Sequence, residues 1–132
     1  MNTIHQIAPL VGRVLLALIF IVSGFGKVTG FAATAGYMAS KGLPMTQVLL
    51  VGAILIELGG GLLVLLGWKA RWAALAIFLF LIPTTLIFHA FWGLPAAEAQ
   101  GQMIHFLKNL AIMGGMVLIF ARGPGPFSID KK

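Results

Sequence analysis

Four apolar runs of about twenty residues each leave this chain one solvent in which to fold, the interior of a bilayer. A membrane helix needs about 20 mostly apolar residues to cross a hydrocarbon core roughly 30 Å thick. The first run extends from Pro9 to Gly26 and carries one charge, Arg13. The second, Met45 to Trp68, holds Glu57 alone near its middle. Trp72 to Trp92 contains no Asp, Glu, Lys or Arg, and Met103 to Ala121 holds His105, Lys108 and Asn109. Each run is too long for a strand and lacks the polar–apolar alternation of an outer-membrane barrel. With 60% hydrophobic and 9% charged residues, the 132 residues cannot give a soluble enzyme a charged surface, nor are they polar enough for disorder.

The same composition excludes further classes. There is no cysteine, so the chain alone supports no thiol–disulfide chemistry, iron–sulfur cluster or cysteine-ligated zinc, and no other metal set is read. The formal net charge is +6, but the cations stand singly between apolar runs. No basic stripe tracks a backbone, and no nucleic-acid partner is expected.

The connections define the predicted fold: an all-α membrane protein, an antiparallel four-transmembrane-helix bundle, one domain over residues 1–132, with short interfacial helices in the two outer loops. Gly67-Trp68-Lys69-Ala70-Arg71 is a tight turn that makes the second and third spans neighbours. In the first outer connection, Val28 to Pro44, Phe31, Ala35 and Met38 stand at near-helical spacing. Lys41-Gly42-Leu43-Pro44 then stops that helix with Gly at C′ and Pro beyond it. In the second, Gly93 to Gln102, Pro95 takes an N1 position. Trp68, Trp72 and Trp92 fall at span ends, the level of the lipid headgroups.

Arg13, Lys69, Arg71, Arg122, Lys131 and Lys132 lie on the side of the termini, against Lys27, Lys41 and Lys108 on the other. That bias predicts a multi-pass protein with both termini cytoplasmic. Ala33-Thr34-Ala35 could end a signal peptide, but residues 1–12 lack the Lys or Arg of an n-region. Gly59-Gly60-Gly61 and Gly114-Gly115 offer close-packing surfaces, from which a homo-oligomer is expected.

An ionised side chain at membrane depth must face the bundle interior and find a partner. Glu57 lies twelve residues into its span, about 18 Å at 1.5 Å per residue. Arg13 lies roughly 6 Å in from one side and Lys108 roughly 8 Å in from the other by the same rise. Either could reach Glu57, and spacing does not rank the two pairs. Arg13, Phe20 and Lys27 form one stripe with Ser23 and Gly24, and His105, Lys108 and Asn109 share one face. His89 comes level with His105 and Lys27, so the polar groups converge on the outer half of the membrane. The opposing reading is structural: Arg13, Lys27 and Lys108 snorkel to the interfaces, Glu57 locks helix register, the histidines are interfacial, and the Phe78, Phe80, Phe88 and Phe91 cluster is packing. Pro83 is expected to kink the third span.

The sequence resembles the DoxX family of small four-helix membrane proteins, and within it the short bacterial inner-membrane branch, over nearly its whole length. The resemblance rests on Arg13 followed by Ser23-Gly24-Phe25-Gly26-Lys27, on Gly42-Leu43-Pro44, on Glu57-Leu58-Gly59-Gly60 and on the Gly67…Arg71 turn. It continues through His89, Lys108-Asn109-Leu110-Ala111 and the tail Gly123-Pro124-Gly125-Pro126-Phe127-Ser128-Ile129-Asp130. It implies a quinone-linked oxidoreductase component, or a membrane subunit beside a soluble redox partner. Glu57 and Lys108 then handle protons or form an ion pair, while Arg13, Lys27, His89, His105 and Asn109 contact the ligand. Quinone is the ligand expected. No flavin-binding motif is present, and the only haem ligands on offer are His89 and His105, so neither group is expected. Two other classes remain open: a non-catalytic scaffold that binds a partner subunit, and a small proton-coupled transporter around Glu57.

Overall fold

Residues 3–130 are described by a computed structural model; Lys131 and Lys132, counted above on the basic side, lie outside them. Without water to bond the backbone, an apolar run in lipid must satisfy its own N–H and C=O groups, and a helix does so within one segment. Four helical spans result: Thr3–Thr29, Thr46–Leu66, Ala70–Phe88 and Ala96–Arg122. They run alternately up and down, so Thr3 and Asp130 lie at the same end of the bundle.

Helix α1 is Thr3–Thr29, and a short α2, Phe31–Ser40, follows it across the end remote from the termini. The stop signal of α2 is where the sequence places it. Gly42 takes φ 83, its N–H donating to Ala39 O (2.9 Å) and that of Leu43 to Met38 O (3.4 Å). The second span has three parts: α3 (Thr46–Ile54), a π-helical turn (Leu55–Gly59) and α4 (Gly60–Leu66). Gly67 at φ 69 ends it, with Trp68 N–H donating to Leu63 O at 3.0 Å. Helix α5 is Ala70–Phe88 and α6 is Ala96–Arg122. The helical piece expected after Pro95 is present, and it is continuous with the fourth span, Pro95 standing at the N-cap. Pro83 lies within α5, and helical structure continues on both sides of it.

The core sits toward the end bearing the termini, where Ala17, Phe20, Val64, Ala74, Ile77 and Met116 are buried. Small residues set the helix spacing there. A Cβ on Gly61 would stand 3.2 Å from Phe20 Cβ and 3.4 Å from Ala17 O, and Gly60 packs on Ile77. Gly60 and Gly61 therefore serve contacts within one chain rather than the oligomer surface expected of them. Outward-facing Leu15, Val22, Leu55 and Leu118 are exposed, as lipid-facing side chains must be.

The last residues are not a free tail. From Gly123 to Asp130 the chain folds back as a strap across the end of the bundle. Ile129 N–H donates to Leu66 O (3.0 Å) and Asp130 N–H to Gly67 O (2.7 Å). The Asp130 carboxylate accepts from the N–H groups of Lys69 (2.8 Å) and Ala70 (2.9 Å), satisfying orphan donors where α5 begins. Arg13 anchors the strap from α1.

Candidate intramembrane site

Ser23 and Lys27 stand one helical turn apart on α1, and Gly24 between them admits the second span. A Cβ on Gly24 would lie 2.9 Å from the backbone nitrogen of Leu58. That approach brings α1 against the π-helical turn, whose wider winding carries Glu57. Lys27 Nζ lies 2.7 Å from Glu57 Oε1 and 3.2 Å from Oε2. It also donates to Ser23 Oγ at 2.8 Å, and Ser23 Oγ is 3.3 Å from each carboxylate oxygen. Glu57 is 5% exposed, whereas 27% of the Lys27 side chain is exposed.

The partner of Glu57 is thus neither Arg13 nor Lys108. Arg13 is 2% exposed at the opposite end of the bundle. Its Nη1 donates to Pro124 O (3.0 Å) and Pro126 O (3.5 Å), and its Nη2 to Phe127 O (2.7 Å). Those carbonyls come from the strap, so burial of the guanidinium depends on a segment remote in sequence. Lys108 is exposed on α6, its Nζ 3.5 Å from His105 Nδ1. Arg13 shares the helix face of Lys27 but stands fourteen residues, about 21 Å, nearer the other end, and Lys108 is turned outward on α6.

Ser23, Lys27 and Glu57 line one side of a cavity of about 610 Å³. Thr34, Tyr37 and Met38 of α2 close it toward the end remote from the termini, α3 supplies Val48, Leu49, Gly52 and Ala53, and α5 supplies Phe80, Pro83, Thr84 and Phe88. His89 stands at its rim. The wall is mostly apolar, with one ion pair and a few hydroxyls on it. Tyr37 stacks on Phe88 with ring centroids 5.5 Å apart, holding α2 on α5. A cavity of this size and lining suits a small ring system bearing polar atoms.

The other expected residues separate. His89 lies 3.0 Å, through Nδ1, from Gln102 Oε1 and stacks on His105 at 5.0 Å. His105 itself is exposed outside the cavity. Buried Asn109 donates Nδ2–H to Thr85 Oγ1 at 3.0 Å, a clip between α6 and α5. Of the expected set, Glu57, Lys27 and His89 border one cavity, and Arg13, His105, Lys108 and Asn109 do not. Thr34, Tyr37 and Thr84 also line it, and no sequence signal marks them as site residues: Thr34 and Tyr37 belong to the short interfacial helix, and Thr84 follows Pro83.

Residues 8–90, from α1 to just past α5, match the model of the DoxX family. The chain belongs to the DoxX family. The match covers every element that lines the cavity. The chain is 40% identical to the Inner membrane protein YqjF of Escherichia coli (strain K12), over 99% of this chain and 95% of that protein. It is 35% identical to the Inner membrane protein YphA of the same strain, over 93% and 88% respectively. A shorter similarity, 38% over 54% of this chain and 52% of the other, joins it to "Putative oxidoreductase CatD" of Bacillus subtilis (strain 168). No solved structure matches. The protein is a DoxX-type integral membrane protein with four membrane-spanning helices.

Proposed function

We propose that this DoxX protein is the membrane component of a quinone-linked oxidoreductase, and that the cavity beside Glu57 receives the quinone head. The observation that carries the reading is an ion pair set into the wall of a mostly apolar cavity at membrane depth. A quinone needs an apolar slot for its ring, donors for its carbonyl oxygens and a source of protons. Lys27, Ser23, Tyr37 and His89 are the donors at hand, and Glu57 is the carboxyl that passes a proton. Reduction to the quinol takes two electrons and two protons, and the electrons come from a redox partner subunit. The name of CatD agrees with oxidoreduction, and the names of YqjF and YphA agree with a bacterial inner-membrane location. In this reading the bundle is inserted with both termini cytoplasmic, and the cavity opens in the outer half of the membrane.

The test is direct binding of a short-chain benzoquinone to purified protein, followed by quenching of tryptophan fluorescence. Saturable binding is expected, weakened at least tenfold by Glu57→Gln or Lys27→Met and unchanged by Lys108→Met. Absence of saturable binding, or equal binding by all variants, overturns the reading.

A further inference from the structure

We propose that the face bearing both termini holds a second site, which binds the phosphodiester headgroup of an anionic phospholipid between Arg71 and Arg122. It lies at the opposite end of the bundle from the Lys27–Glu57 cavity and does not rest on the quinone reading.

Arg71 belongs to the first turn of α5 and Arg122 ends α6, and these two helices pack along each other. The strap closes the space between them with Gly125, Pro126, Phe127, Ser128 and Asp130, leaving a cavity of about 420 Å³. Among the described residues, neither guanidinium has an ion-pair or hydrogen-bond partner. Asp130 also borders the cavity, but both its carboxylate oxygens are engaged by the backbone N–H groups of Lys69 and Ala70. The two cations are therefore available, in contrast to Arg13, whose Nη1 and Nη2 donate to the strap carbonyls. Two planar guanidinium forks facing one polar cavity match the oxygens of a phosphodiester.

The rim argues for a lipid rather than a soluble phosphate. Phe127, which lines the cavity, is 64% exposed, and Trp72, next to Arg71 in the chain, is 68% exposed. Phe127 adopts φ 57, a left-handed conformation unfavourable for a bulky residue. Its carbonyl is held there by Arg13, and its ring stays in the open. Trp72 packs edge-on against Phe120 at 6.1 Å. Aromatic side chains around a cationic cavity at a span end sit at headgroup depth. An anionic head continuous with acyl chains satisfies both halves of that surface.

Native mass spectrometry of the detergent-purified protein, given equal amounts of phosphatidylglycerol and phosphatidylcholine with the same acyl chains, tests the site. One phosphatidylglycerol retained per chain, at least tenfold over phosphatidylcholine, is expected. Arg71→Gln/Arg122→Gln should abolish that preference, and Lys41→Gln, which removes a cation from the other face, should preserve it. Both arginines are exposed, so an unchanged melting temperature certifies the folding of the double variant. Equal retention of the two lipids, or a preference that survives the double substitution, overturns the proposal. Displacement of the lipid by millimolar inorganic phosphate would assign the site to a soluble phosphate and overturn it equally; no displacement supports the lipid.

Discussion

Lys27 and Glu57 differ in what each loses when the other is removed. Lys27 is partly exposed in the last turn of α1, and its stem can carry the ammonium to the interface. Glu57 is held deep by the π-helical turn and would keep only Ser23 as a donor. Lys27→Met should therefore destabilise the protein by about 1–3 kcal/mol more than Glu57→Gln, because it strands a buried carboxylate. The double variant should regain part of that loss, as expected of coupled neighbours. Thermal unfolding in mild detergent measures all three, and strictly additive losses would mean that the pair is not coupled. Arg13 poses a different case, since its partners are carbonyls. Arg13→Leu removes charge-assisted hydrogen bonds worth about 1.5–3 kcal/mol each and leaves the strap held by its ties to the α4–α5 turn and its packing on Pro9. Cleavage by chymotrypsin after Phe127 should accelerate at least tenfold while the helical circular dichroism stays unchanged. A cleavage rate equal to wild type would show that the strap stands without Arg13.

At the scale of elements, the contact between α1 and the second span decides whether a site exists at all. Gly24 meets the Leu58 backbone so closely that an added methyl has nowhere to go, as Leu58 Cα would also lie 3.2 Å away. Gly24→Ala should cost about 1–3 kcal/mol and weaken quinone binding by shifting Ser23 and Lys27 off Glu57. The measurement is melting temperature together with the fluorescence titration, and a variant that binds as wild type would separate the site from this contact. The strap makes the second element-level prediction. Asp130→Ala should cost about 0.5–2 kcal/mol, the range for a lost helix cap, read as a lower melting temperature with the quinone titration unaltered. The stop of α2 at Gly42 and the turn at Gly67 were legible in the sequence because a positive φ has a residue preference. The π-helical turn was not. Three glycines after Glu57 weaken the helix locally, but glycines also permit close packing, and the pattern does not distinguish the two.

For the whole molecule, the predicted orientation is checked by reporter fusions after Lys132 and within the loop at Gly42. A cytoplasmic reporter should be active in the first and a periplasmic one in the second. The same compartment for both would defeat an even number of spans. Burial of Gly60 and Gly61 inside the bundle leaves Gly59 and Gly114, which have open space beside them, and the broad apolar perimeter to carry any self-association.

Span number, span limits to within a turn or so at most ends, the outer helix and the tight turns followed from the sequence alone. The bilayer imposes one rule on every residue of a span, and that rule shows in any window of twenty. Sequence also marked Glu57 as the acid that must find a partner, because its depth depends only on counting. Which cation it meets depends on how the spans are offset along the bundle axis, which excludes Arg13, and on azimuth, which excludes Lys108. A π-helical turn rotates the residues beyond it relative to a regular helix, and the closeness of α1 depends on a glycine whose neighbour lies in another span. Only the tertiary structure could therefore choose Lys27 over Arg13 and Lys108. Only it could turn the last eight described residues into a strap that buries an arginine, because the groups that hold them are backbone carbonyls and N–H donors, which every residue has and which no sequence pattern marks.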